Sequence, residues 1–252
     1  MKTEDAKSYF LQRLFKHLDG IAISPTLMIL DNKEMLSQLL TKENNYLSDL
    51  SDRYNANSAY LHVALRMLSS QGYFEQEIDH KGDVQFTLQK SNTNIPTKED
   101  IRKNYSLIYP LYTNEIDYSI IFKNSNTLTS KLFLTLKNYI THKKKYPASW
   151  NEPDMVTHVE GAILGPLIVT LSRKGCFKNM KKEDSAKWWA EINNDWQRII
   201  KEVFTSTHLT DENNEITEYG HFIFKRSTSY GVTVSYLPTF RNINNLIFGN
   251  YK

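Results

Sequence analysis

The chain has 252 residues, enough for one large domain or two ordinary ones, and its 40% apolar and 23% charged content is that of a folded chain and not of a disordered one. Its net charge of +3 comes from interspersed signs, which permits nucleic-acid binding without demanding it. Nine glycines against 15 tyrosines and 12 phenylalanines leave few of the tight loops that β-sandwiches and phosphate-cradling folds need, so helices should dominate.

The N-terminus, MKTEDAKSYFLQRLF, lacks the unbroken apolar stretch of a secretory signal. Residues 18–33 read LDGIAISPTLMILDNK, and residues 159–174 read VEGAILGPLIVTLSRK. The two match without a gap at an offset of 141, pairing Asp19 with Glu160, Gly20 with Gly161, Pro25 with Pro166, Leu30 with Leu171 and Lys33 with Lys174. Each copy reads as a buried helix, apolar nearly all round, with a glycine for close backbone approach and a proline that kinks or restarts it. The acid beside the glycine reads as structural, either a carboxylate at a helix N-terminus or a buried hydrogen-bond partner.

Next come LSDLSDRY at residues 47–54 and NSAYLHVALRMLSSQGYF at residues 57–74, a helix-turn-helix pattern. Asn57 or Ser58 can cap the second helix, Leu61, Ala64, Leu65 and Leu68 form its buried face, and Gly72 can end it. The stretch that follows predicts a hairpin with Lys81 and Gly82 at its tip, so the order helix, helix, hairpin is that of a winged helix. Residues 98–142 predict connecting helices, with Leu128, Leu132, Phe133 and Leu136 as one stripe. The basic run His142, Lys143, Lys144, Lys145, beside Pro147, reads as a solvated helix end.

Lone Cys176 excludes an internal disulfide framework and a cysteine-based zinc site, and its apolar neighbourhood reads as that of an inert buried thiol. It fits a reducing compartment, so a cytoplasmic location is expected. The second half repeats the winged pattern less closely. A helix over residues 185–204 buries Trp196, Ile199, Ile200 and Val203, and Asp211 to Asn214 form a polar tip. Ile216 and Thr217 then form a returning strand, and Gly220 starts a helix. The fold class is therefore mainly α with small β-hairpins (α+β): a winged-helix-like half over residues 1–97, a helical connector over 98–150, and a second winged-helix-like half over 151–252.

Chemistry is sparse. No GxG occurs, which excludes a Rossmann core, and the histidines at 17, 62, 80, 142, 158, 208 and 221 show neither HExxH nor close pairing along the chain. No residue is nominated as catalytic, cofactor-binding or metal-ligating. Trp188, Trp189 and the tyrosines from Tyr230 to Tyr236 read as core or interface packing.

Several segments resemble the non-catalytic, winged-helix N-terminal region of class I S-adenosylmethionine-dependent methyltransferases of polyketide and other natural-product pathways. They are LDGIAISPTLMIL, YLHVALRMLSSQGYF, VEGAILGPLIVTLSRKG and ITEYGHFIFKRSTSYGVTVSYLPTFRNINNLIFGN. The resemblance implies a dimerisation and substrate-lid module, either a fragment or a stand-alone relative, with S-adenosylmethionine bound by a catalytic domain that would follow and no cofactor in this chain. The implied partners are a second copy or such a domain; nucleic acid and membrane are not expected. The competing readings are a tandem winged-helix DNA-binding regulator and a sensor or protein scaffold. The outer face of the first recognition-type helix offers one permanent cation, Arg66, and both wings are acidic, with Glu75, Glu77, Asp79 and Asp83 in the first and Asp211, Glu212 and Glu215 in the second.

Overall fold

The computed structural model describes residues 3–92, 95–113, 116–123, 130–146, 154–177 and 189–249. Leu128, Pro147, Ser185 and Trp188 lie outside them. The fold is mostly helical with one small antiparallel sheet. The chain forms two compact units, neither of them continuous in sequence: residues 22–106 with 238–252, and residues 1–21 with 107–237. A long first helix, α1 (Thr3–Asn32), contributes to both.

In the first of these units α2 (Met35–Thr41), β1 (Asn44–Tyr46), α3 (Leu47–Tyr54), α4 (Ser58–Ser70), β2 (Phe74–Ile78) and β3 (Val84–Leu88) follow one another. The sheet order is β1-β3-β2, so this is a complete winged helix. Its turns follow from local chemistry. Asn55 takes a left-handed conformation after α3, Asn57 accepts from the amides of Ala59 and Tyr60 to cap α4, and Gly72, with φ of 75°, ends the reversal after it. Leu61, Ala64, Leu65 and Leu68 are buried as their spacing predicts. Gly82 sits at the wing tip with φ of 84°, and Asp79 accepts from the amides of Lys81 and Asp83 to close it. A further helix, α5 (Lys98–Tyr105), starts in a capping box made by Thr97 and Asp100. It brings Arg102 to 2.8 Å from the buried Asp31.

The other unit holds α6 (Tyr109–Thr113), a 3-10 turn at Tyr118–Phe122, α7 (Lys131–Lys143), α8 (Asp154–Arg173), α9 (Asn194–Ser206), α10 (Glu218–Lys225) and α11 (Ser227–Ser235). Leu132, Phe133 and Leu136 are buried on α7. Trp196, Ile199, Ile200 and Val203 are buried on α9, whose start is Asn194 and not Ser185, because the Asn193 side chain accepts from the Asp195 amide and stops the helix from extending backwards. The second wing is smaller than predicted. A single bridge joins Thr210 to Ile216 around an Asp211 turn, and Thr217 caps α10 by accepting from the Gly220 amide where a strand was expected. Two helices, α12 (Leu237–Arg241) and α13 (Ile243–Phe248), complete the described chain.

Helix α8 is long and apolar enough to cross a membrane by length and composition, and it is mostly buried inside the protein. Neither Pro25 nor Pro166 restarts its helix: α1 and α8 both continue through.

Candidate functional site

The repeated glycines sit at a backbone crossing. A methyl group on Gly20 would overlap the backbone of His158, and one on Gly161 would overlap the backbone of His17. The contact is reciprocal because His17 and His158 stand at the same offset of 141 as the glycines, three residues ahead of each. The repeat therefore begins one residue earlier than residue 18, as HLDG and HVEG. These two histidines, unpaired along the sequence, are brought together by the crossing.

Against this crossing lies a buried polar network centred on Glu160. Its Oε1 accepts from Arg13 Nη2 at 2.8 Å, Arg13 Nε at 3.2 Å and His17 Nε2 at 3.0 Å. Its Oε2 lies 3.2 Å from Lys143 Nζ and accepts from the Tyr139 hydroxyl at 3.4 Å. Arg13 also lies over the ring of Tyr219, 5.9 Å from its centroid. Glu160 lies in the interior of α8, so of the two structural roles expected for it the buried hydrogen-bond partner is the one observed.

Lys143 corrects the reading of the basic run as a solvated helix end. Its side chain is 2% exposed and points inward to Glu160, while His142 is also buried, with its ring 5.0 Å from that of Tyr146. A lysine at a helix C-terminus is stabilised by the macrodipole in either position; the buried carboxylate decides which way it turns.

Burial alone would raise the Glu160 carboxyl, but Arg13, the His17 hydrogen bond and Lys143 more than offset that and hold it well below the usual carboxylate range. Burial lowers His17 despite the opposing pull of Glu160, so the imidazole is neutral. Burial also pushes the Tyr230 hydroxyl well above its ordinary value, with Glu160 adding to it. The proton positions then follow from donor and acceptor inventories. A carboxylate only accepts, so His17 carries its hydrogen on Nε2, and Nδ1 accepts from the Tyr230 hydroxyl at 2.6 Å. Tyr230, His17 and Glu160 thus form a directed relay with no solvent contact. Across the crossing, burial lowers His158 to about 4.

Such a relay resembles the orienting end of a proton-transfer chain, yet substrate has no route to it in this conformation: Arg13, His17, Glu160, Tyr230 and Lys143 are all 3% exposed or less. An open groove of about 440 Å3 lies in the same unit between the 3-10 turn and the start of α7, lined in part by Asp117, Lys123 and Lys131, and none of the network residues borders it. There the Lys123 hydrogen bond holds the Asp117 carboxyl down at about 2. Cys176 is buried, and burial pushes its thiol up to about 11, which matches the inert thiol expected. Among the described residues no group of three or more His, Cys, Asp or Glu side chains could hold a metal ion.

Comparison with protein families gives two matches. Residues 10–76 match the AprA N-terminal domain and residues 160–250 match the AprA winged helix domain. The second contains Glu160, Gly161 and Tyr230, and the first contains Arg13, His17 and Gly20, while Tyr139 and Lys143 come from the stretch between the two matches. The complete three-stranded winged helix begins inside the AprA N-terminal match and ends in a hairpin that runs past it, while the AprA winged-helix segment carries the wing reduced to one bridge. No curated protein matches the chain.

Proposed function

We propose that the chain is a non-catalytic accessory module of an S-adenosylmethionine-dependent methyltransferase, which forms a dimer or covers the substrate of a separate catalytic domain. The carrying observation is where apolar surface is left open. On α1, Leu11 and Phe15 stand one turn apart and are 41% and 54% exposed; on α11 and just past it, Val232 and Tyr236 stand one turn apart and are 65% and 56% exposed. Single exposed apolar side chains are ordinary, but pairs aligned along a helix suit burial against another protein surface. The polar network adds support from the opposite direction, since it is sealed where an active site would be open. The acidic first wing, with Glu75, Glu77, Asp79 and Asp83, argues against the DNA-binding alternative.

Titration calorimetry with S-adenosylmethionine tests this reading. The chain alone should give no binding heat, and heat should appear when a separate methyltransferase catalytic domain that associates with the chain is present. Phe15→Asp and Val232→Asp should weaken the association of the two while leaving the circular dichroism of the chain unchanged. Saturable S-adenosylmethionine binding by residues 1–252 alone would overturn the proposal.

A further inference from the structure

The outer edge of β2 in the winged helix is open, and the inference drawn from it does not rest on the methyltransferase reading. In the order β1-β3-β2, strand β2 has a neighbour on one side only. Its hydrogen-bonding phase is fixed at both ends: the Asp79 amide donates to the Asp83 carbonyl at 2.9 Å, and the Gln89 amide donates to the Tyr73 carbonyl at 3.0 Å. In an antiparallel ladder the bonded pairs alternate, so residues 73, 75, 77 and 79 turn their backbone groups toward β3. Phe74, Gln76 and Ile78 therefore aim their N–H and C=O groups outward, and these have no backbone partner among the described residues.

Side chains on this strand are open as well. All of β2 after Phe74 is exposed, and Ile78 is 71% exposed. Glu75 and Glu77 lie on the face opposite to Gln76 and Ile78, across from Thr87 and Gln85, and neither makes an ion pair among the described residues. Residues 74–83 hold four carboxylates against a single lysine, Lys81. An edge of this kind repels a second copy of itself, because self-pairing would set carboxylates against carboxylates, and it repels nucleic acid. It attracts a strand of the opposite charge.

We propose that the free edge of β2 is a docking site for an extended, basic segment of a partner protein. The segment adds as a fourth strand, its backbone bonding to Phe74, Gln76 and Ile78, with cations beside Glu75 and Glu77 and an apolar side chain beside Ile78.

Fluorescence anisotropy with a labelled peptide that alternates lysine and valine provides the test. Saturable binding is expected, and a peptide alternating glutamate and valine should not bind. Gln76→Pro removes an outward donor without touching the β3 ladder, and edge strands tolerate proline there. It should abolish binding while circular dichroism stays unchanged. Glu75→Lys combined with Glu77→Lys should weaken binding by about tenfold or more, and it serves as the test if the proline variant misfolds. Equal binding of both peptides, binding indifferent to Gln76→Pro in a folded chain, or no saturable binding of the basic peptide would each overturn the proposal. So would a concentration-dependent homodimer in sedimentation equilibrium that Gln76→Pro dissolves, since the occupant would then be a second copy.

Discussion

Two copies of one sequence pattern meet at the glycine crossing, and they differ in what surrounds the acid. Glu160 is fully buried and holds Arg13, His17, Lys143 and Tyr139; its counterpart Asp19 is only partly buried. The offset that relates the copies explains why. It carries Arg13 to Asp154, so the position that supplies Glu160 with its guanidinium presents a carboxylate on the other side, and Asp154 pairs with Lys16. Helix α7 then delivers Lys143 and Tyr139 to Glu160. A repeat preserves backbone geometry, set by the glycines, more faithfully than it preserves charge, which can be placed on one side only.

The largest expected effect separates the two acids. Glu160→Gln leaves Arg13 and Lys143 buried beside a neutral group and is expected to cost about 3–5 kcal/mol, whereas Asp19→Asn is expected to cost about 1 kcal/mol or less. Urea denaturation of both variants measures the difference. Equal costs would mean that the full burial of Glu160 carries no more energetic weight than the partial burial of Asp19.

Gly20→Ala and Gly161→Ala should, in contrast, behave alike. Each methyl meets backbone and not a movable side chain, so the helices must separate at the crossing, at about 3 kcal/mol or more per variant. Thermal unfolding of the single and double variants distinguishes a shared crossing from two independent sites. A double variant that costs little more than either single one is expected, because the first methyl already forces the helices apart.

Much of this architecture is legible in the amino-acid sequence. The repeat, the helix, helix, hairpin order of the first winged helix, the capping of α4 by Asn57 and the wing tip at Gly82 all follow from spacing over a few residues, because turns and caps are local chemistry. The network is not legible there. Arg13, His17, Lys143, Glu160 and Tyr230 come from four helices, and beyond the four-residue spacing of Arg13 and His17 on α1 no short spacing links them. One signal does exist in the sequence, the histidine three residues before each repeated glycine, which stands just outside the matched run that starts at Leu18. The basic run misleads for a physical reason: composition shows that Lys143 ends a helix, while only the neighbouring carboxylate shows that it turns inward. The second wing is reduced because Thr217, which suits a strand, is also a good helix cap and serves as one.

Acid should expose the histidines of the two copies. For His158 the folded-state value of about 4 lies below the ordinary 6.5, so the unfolded chain binds the proton more readily. The stability associated with neutral His158 is complete above pH 6.5 and is lost as pH falls from 6.5 toward 4, by about 3 kcal/mol across that window. His17, also lowered, steepens the same fall. Glu160, held low, contributes stability that is present above its unfolded value near 4.5 and is lost at still lower pH. Denaturation midpoints measured across this range should therefore decline in two stages. His158→Gln should flatten the first stage and leave the second. A first stage unchanged in His158→Gln would assign it to His17 or to groups outside the crossing.

The smallest effect concerns the relay itself. Tyr230→Phe removes the donor to His17 Nδ1 without changing the shape of the core, and a buried acceptor left without its donor costs about 1–2 kcal/mol. The sharper readout is the imidazole. With Tyr230 present, His17 is held with hydrogen on Nε2, which nitrogen chemical shifts report directly; in Tyr230→Phe the carboxylate of Glu160 still demands that hydrogen, so the tautomer should persist while Nδ1 loses the shift of a hydrogen-bonded acceptor. In Glu160→Gln the amide oxygen can accept the Nε2 hydrogen only weakly, and the tautomer should become mixed. A double-mutant cycle between the two positions is expected to show coupling, since both act on one ring. Additive costs would mean that Tyr230 and Glu160 stabilise His17 independently, and that the relay is two hydrogen bonds sharing an imidazole and not a unit.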